Sequence, residues 1–140
     1  MPKPSTRPPR QAAPTKPWLI VPPTWPGSGA EYAIYWGHIR LGLREGIEFT
    51  YQSPFQGGRL FKGGAIIDFF ENDLNIAVRV QGRHWHVYAS GDVRALDLIQ
   101  KLSMESQGII VVDIDEQVAL RVPIEAVKTA RQGREIIVTY

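Results

Sequence analysis

The most regular alternation in the chain runs from Leu74 to Gln81. Leu74, Ile76, Val78 and Val80 fall on one side of an extended strand, and Asn75, Ala77, Arg79 and Gln81 fall on the other. Asn72-Asp73 ahead of it reads as a turn. Before that turn, Ala65-Ile66-Ile67-Asp68-Phe69-Phe70 reads as a partner strand in which one acid interrupts an apolar run. Ile47 to Gln52 also alternates and stops at Ser53-Pro54, while the continuous apolar run from Ile109 to Ile114 suits a strand buried on both faces. Helical spacing marks two longer segments. Tyr32, Tyr35, Trp36, Ile39 and Leu43 follow Ser28, an N-cap that Glu31 completes as a capping box, and Gly42 and Gly46 close the helix. A second helix is expected over Gly91–Ser106, with Ser90 as N-cap and Gly108 beyond its end. Pro123 opens a short helix that ends at Gly133, and Glu135 to Tyr140 suits either a final strand or an extended arm.

This order of helix, three strands, helix and strand predicts an α/β domain. The three strands form a meander, and a helical crossover delivers the fourth strand parallel to one of them, giving a mixed sheet with helices on its faces. At 140 residues there is room for one domain. Residues 1–17 are expected to be an extended or disordered arm, because Pro2, Pro4, Pro8, Pro9, Pro14 and Pro17 deny them a helix or a central strand. Residues 18–140 then make up the single domain, with Trp18-Leu19-Ile20-Val21 packing on its body.

Charge divides the chain at the same place. The arm holds Lys3, Arg7, Arg10 and Lys16, four of the sixteen Lys and Arg, and none of the fourteen acids, so the rest of the chain is net acidic. A basic arm on such a body reads as a segment that follows DNA phosphates, as a solubilising leader, or as a means of lacing onto a protein partner or a second copy. The absence of cysteine excludes disulfides, thiolate catalysis and Cys-based zinc sites. No apolar run approaches the ~20 residues that span a bilayer, and the basic N-terminus lacks the apolar stretch of a signal peptide, so a cytoplasmic setting without membrane contact is expected.

The candidate chemistry centres on Asp68, an ionisable group in an otherwise apolar strand. A carboxylate held rigidly beside a second oxygen ligand is what a phosphodiester-cleaving metal site requires. Asp68 also suits a plain structural role at a strand end. The expected hairpin brings it close to the end of the strand 74–81, beyond which His84 and His86 offer metal ligands or a general base. Arg59, Arg83, Arg94 and Lys101 are candidates for a phosphate path, or for ordinary solvated positions.

The segment Gly64-Ala65-Ile66-Ile67-Asp68-Phe69-Phe70, followed by Leu74 to Gln81 and then Gly82-Arg83-His84-Trp85-His86, resembles the PD-(D/E)XK restriction-endonuclease-like nucleases. Asp92, Arg94 and Asp97, and the Ile/Val strand after Gly108, resemble the usual sequel. Within that superfamily the pattern is similar to the very-short-patch-repair endonucleases and related small phage and metagenomic proteins. The resemblance covers about residues 28–116.

It implies a restriction-endonuclease-like core, a Mg²⁺-dependent DNA endonuclease or nickase active in DNA repair, and a bacterial or phage-encoded origin. It makes Asp68 and the Val80 backbone carbonyl the metal ligands and His86 the group that orients or deprotonates water. Glu31 would hold water at the metal, and Trp85 would contact DNA with His84, Arg83 and the arm cations Lys3, Arg7, Arg10 and Lys16. The sequence also departs from the superfamily. The usual Glu-x-Lys pair is replaced by Arg79 and Gln81, which are expected to face the cavity. Arg79 is expected either to turn towards a DNA phosphate or to fill the cavity and pair with Asp68. The latter arrangement would make the chain a noncatalytic DNA-binding or structural protein on the same fold.

Overall fold

A computed structural model describes residues 16–51, 67–82 and 91–135. Its sheet has four strands, Phe49–Tyr51 (β1), Phe69–Glu71 (β2), Ile76–Gln81 (β3) and Ile110–Asp115 (β4), lying side by side in chain order. The first three form an antiparallel meander, with Phe49 opposite Glu71 and Phe69 opposite Val78. β4 runs parallel to β3, from Ile76 opposite Ile110 to Gln81 opposite Asp115. The helix Gly91–Ser106 (α2) makes this possible by carrying the chain back to the start of the sheet. It ends before Gly108, whose φ of +82° disfavours any residue with a side chain.

Each face of the sheet has its own core. The helix Gly29–Arg40 (α1) precedes the sheet, and the helices Glu116–Arg121 (α3) and Pro123–Ala130 (α4) follow it. All three pack on the face that carries Phe49, Phe69, Ile76 and Val78. Ala77 and Val111 face the opposite way, where Met104 of α2, Ile67 and Ile109 join them. The alternation read over 76–81 is therefore a partition between two helical layers.

Several expectations need correction. β2 begins only at Phe69, so Ile67 and Asp68 precede it, and residues 65 and 66 lie outside the described residues. Leu74 and Asn75 belong to the turn rather than to β3, because Asn75 adopts φ 58° and its amide donates to the Gly108 carbonyl at 2.8 Å. Ile47 and Glu48 form a turn that donates back to the Arg44 carbonyl, leaving only Phe49–Tyr51 as strand. α3 was not expected. Asp115 both ends β4 and caps this helix, its Oδ1 accepting the Gln117 N–H at 2.8 Å. Of Trp18–Val21, only Trp18 packs inward, resting on Trp36 and donating to the Leu120 carbonyl, while Leu19, Ile20 and Val21 are exposed.

The aromatic spacing that marks α1 as a helix does not mark its buried side. Ala30, Ala33, Ile34, Gly37 and His38 are buried, and Ile39 is 45% exposed. Small residues face inward because α1 lies close against α4: a Cβ on Gly37 would come within 2.8 Å of the Pro123 carbonyl oxygen. The large aromatics instead line the flank, where Tyr32 and Tyr35 meet Trp25.

Candidate active site

The site forms where β3 runs on past the start of β2. Val80 meets no β2 strand residue there, and its N–H donates instead to Asp68 Oδ2 at 2.7 Å. The carboxylate thus stands in for a backbone acceptor. A strand residue turns its N–H and C=O towards the same neighbouring strand, so the Val80 carbonyl leaves β3 on the Asp68 side.

Glu31 reaches the same place from the first turn of α1. The capping box fixes it: the Ser28 N–H donates to Oε2 at 3.1 Å, and Ser28 Oγ accepts the Glu31 N–H at 3.2 Å. Its other oxygen, Oε1, accepts the Tyr51 hydroxyl at 3.1 Å, and Glu31 lies close enough to Asp68 to act on its carboxyl. Burial pushes the Asp68 carboxyl up to about 7. The Val80 N–H opposes that rise, while the charge and hydrogen bond of Glu31 reinforce it, and Arg79 opposes it through space. Burial, and then Glu31, also raise the Tyr51 hydroxyl, which stays a donor. Two carboxyl groups brought this close favour a proton held between them or a cation in its place.

Arg79 takes neither expected position. It is 6% exposed and sits between β3, β4 and α2. Nε and Nη2 donate to Asp113 at 2.7 and 2.9 Å, and Nη1 and Nη2 donate to Asp97. Asp113 lies directly opposite Arg79 in the β3–β4 register, so the parallel pairing itself brings the opposite charge alongside. Gln81 is half-buried at the end of β3, opposite Asp115. Lys101 pairs with Glu135 at 2.6 Å, which sets it in a structural ion pair.

A second polar cluster lies at the other end of β2. Glu71 is fully buried and accepts from His38 Nε2 at 2.8 Å and from Arg131 Nη1 at 2.9 Å. His38 Nδ1 faces the Ile34 carbonyl at 2.8 Å and must therefore carry a hydrogen. The imidazole stacks between Phe49 and Phe69, with ring centroids 4.2 and 5.1 Å away. Arg131 continues to Asp73 at 2.6 Å. Local sequence pattern carries no sign of this network. His38 sits among helical aromatics, and Glu71 resembles an ordinary acid beside a turn.

The structure therefore brings Glu31, Asp68 and Val80 together and directs Arg79 elsewhere. Arg83, His84, Trp85 and His86 lie outside the described residues, as do Lys3, Arg7, Arg10 and Arg59. Lys16 is exposed at the root of the arm. Among the described residues there is no cluster of three or more His, Asp and Glu side chains able to hold a metal, and no helix is long and apolar enough to cross a membrane. Comparison with known proteins finds no matching family model, no matching curated protein and no matching solved structure.

Proposed function

We propose that the chain is a metal-dependent DNA endonuclease or nickase built on a PD-(D/E)XK core, with Asp68 and Glu31 at its centre. The observation that carries this reading is the pairing of those two carboxylates from separate elements. Among the described residues, neither has a Lys or Arg at salt-bridge distance. A half-buried acid with an acid for a neighbour is poor stabilisation, and it makes good sense as a cation site. The element order is also the one that the resemblance implies.

The donor set fits a hard cation. Asp68 Oδ and the Val80 carbonyl are oxygen ligands of the kind Mg²⁺ or Mn²⁺ takes, with Glu31 beside them. Bound there, such an ion would polarise a phosphodiester and favour ionisation of a water. The chain's own residues hold and orient. Asp68 is fixed by the Val80 N–H, and Glu31 is fixed by Ser28 and Tyr51, so neither carboxylate must reorganise to receive a ligand. The resemblance assigns proton transfer to His86, and DNA contact to Trp85, His84, Arg83 and the arm.

One observation favours the alternative, a noncatalytic DNA-binding or structural protein. Arg79 and Gln81 stand where the superfamily usually places Glu and Lys, and Arg79 is committed to a structural ion cluster. Nicking of supercoiled DNA in Mg²⁺ or Mn²⁺ decides between the two. The proposal expects cleavage by the parent chain and none by Asp68→Asn. A parent that stays inert in both metals establishes the alternative, and an Asp68→Asn chain that nicks at the parent rate removes Asp68 from the chemistry.

A further inference from the structure

A cleft of about 390 Å³ opens beside the first turns of α1, walled by Pro22, Trp25, Pro26, Tyr35 and Tyr51, with Glu45 at its rim. We propose that this cleft is a docking site for the chain's own N-terminal segment, residues 1–15, bound in cis as a basic, proline-rich strand. The inference is independent of nuclease activity.

Three observations converge on that occupant. The first is the wall chemistry. Trp25 stacks on Tyr51 at 4.6 Å and leans on Tyr35 at 5.1 Å, giving a ridged aromatic surface flanked by prolines. Proline-rich segments dock on such surfaces because the polyproline helix is already extended and loses little entropy on binding.

The second is charge. Glu45 is the charged residue among the described lining; one of its oxygens accepts the Tyr35 hydroxyl at 2.8 Å, and among the described residues the other meets no side-chain donor. Glu31 adds a further acid through Tyr51. The segment 1–15 carries Lys3, Arg7 and Arg10 and no acid, and it sets cation beside proline in Arg7-Pro8-Pro9-Arg10.

The third is tethering. Trp18 is anchored on Trp36 and on the Leu120 carbonyl, which fixes the root of the arm at Lys16. The stretch from Lys16 to Pro22, which lines the cleft, spans at most ~20 Å. An arm of fifteen residues reaches ~46 Å as a polyproline helix, so it can fold back onto the cleft. At the millimolar effective concentration of a short tether, a weak contact is well populated. DNA phosphates would compete for the same cations, so binding of nucleic acid would release the arm.

The test uses the full chain, in which a cysteine introduced by Ser5→Cys is unique because there is no other. A nitroxide on that cysteine broadens nearby resonances, and the Trp25 indole N–H, which donates to the Ser28 carbonyl, is the reporter. Docking predicts that the Trp25 signal loses most of its intensity in the labelled parent. It also predicts that both Glu45→Lys and the pair Arg7→Glu with Arg10→Glu restore that signal. Equal intensity in all three chains is the behaviour of an arm that samples the surface without docking, and it overturns the proposal. Loss that passes from nitroxide-bearing chains to isotope-labelled, nitroxide-free chains mixed with them places the arm on a second copy and overturns docking in cis.

Discussion

Asp68 immediately precedes the short strand β2 and Glu71 ends it, and their surroundings could hardly differ more. Glu71 is fully buried yet matched, with His38 and Arg131 donating to it and aromatic rings sealing the pair. Asp68 is only half-buried, yet its neighbour is another acid, and its carboxyl is pushed up to about 7. Arg79 provides a third case, a cation matched by Asp97 and Asp113. At Glu71 and at Arg79, charge buried for structure is met by the opposite charge. At Asp68 it supplies a backbone N–H and a second carboxylate instead. The contrast teaches that burial alone does not mark a functional acid; the sign of its neighbours does.

Two substitutions should separate the two acids most sharply. Asp68→Asn keeps an acceptor for the Val80 N–H, so the chain stays folded while Mg²⁺-dependent nicking falls by at least ~100-fold, as measured by conversion of supercoiled to open-circular DNA. Glu71→Ala should do the reverse. It strands two buried donors and costs about 3–5 kcal/mol in urea unfolding, while the folded fraction still cleaves. If Glu71→Ala proves as stable as the parent, the His38–Glu71–Arg131 network is not a structural element, and the comparison fails at its matched end.

The legibility of these features follows their sequence range. Ser28 and Glu31 are three residues apart, and the capping box they form was readable directly, as was the alternation over Ile76–Val80, because both depend on local geometry. Asp68 stood out as an acid in an apolar run. What selects its partners is long-range, and the register that places Asp113 opposite Arg79 cannot be read from either segment alone. For a related reason, the aromatic spacing marks α1 as a helix without telling which of its sides packs inward. Hydrophobicity predicts which side avoids water, but the approach to α4 favours the side with small residues, and Gly37 and Ala33 carry little apolar signal. Short α3 was missed because Asp115 ends one element and starts the next within a single residue.

The pH dependence of stability offers a sharper test of the unmatched end. The folded value for Asp68, about 7, lies above the ~3.9 of an unfolded aspartate. The folded chain therefore binds more protons in that window, and the contribution of Asp68 to stability is fully present below ~4 and lost as the pH rises through about 7. Asp68→Asn should flatten this part of the profile and be relatively more stable at pH 8, as followed by urea midpoints. A cation that replaces the shared proton should bind more tightly as the pH rises through the same window. Calorimetric Mn²⁺ titrations at pH 6 and pH 8 that give the same affinity would mean that no proton is displaced and that the carboxylate pair is not the metal site.

The smallest effect concerns how Glu31 is held, and it tests whether that residue belongs to the site or only to its helix. Ser28 accepts the Glu31 N–H and gives its own N–H to Glu31 Oε2, so the capping box both starts α1 and aims the carboxylate. Ser28→Ala removes the hydroxyl half of the box and should cost about 1 kcal/mol, whereas Ser28→Asp, a good N-cap, should restore helix stability. The two variants diverge in function. Ser28→Asp would add a carboxylate next to Glu31 at the start of α1, raising the negative charge there. Metal affinity should therefore rise in Ser28→Asp while stability returns to the parent value. In Ser28→Ala, stability falls and metal affinity changes little, because Tyr51 still holds Glu31 Oε1. Equal metal affinity in the parent and Ser28→Asp would show that charge at the start of α1 is not felt at the Asp68 site, and Glu31 would then be a helix cap and nothing more.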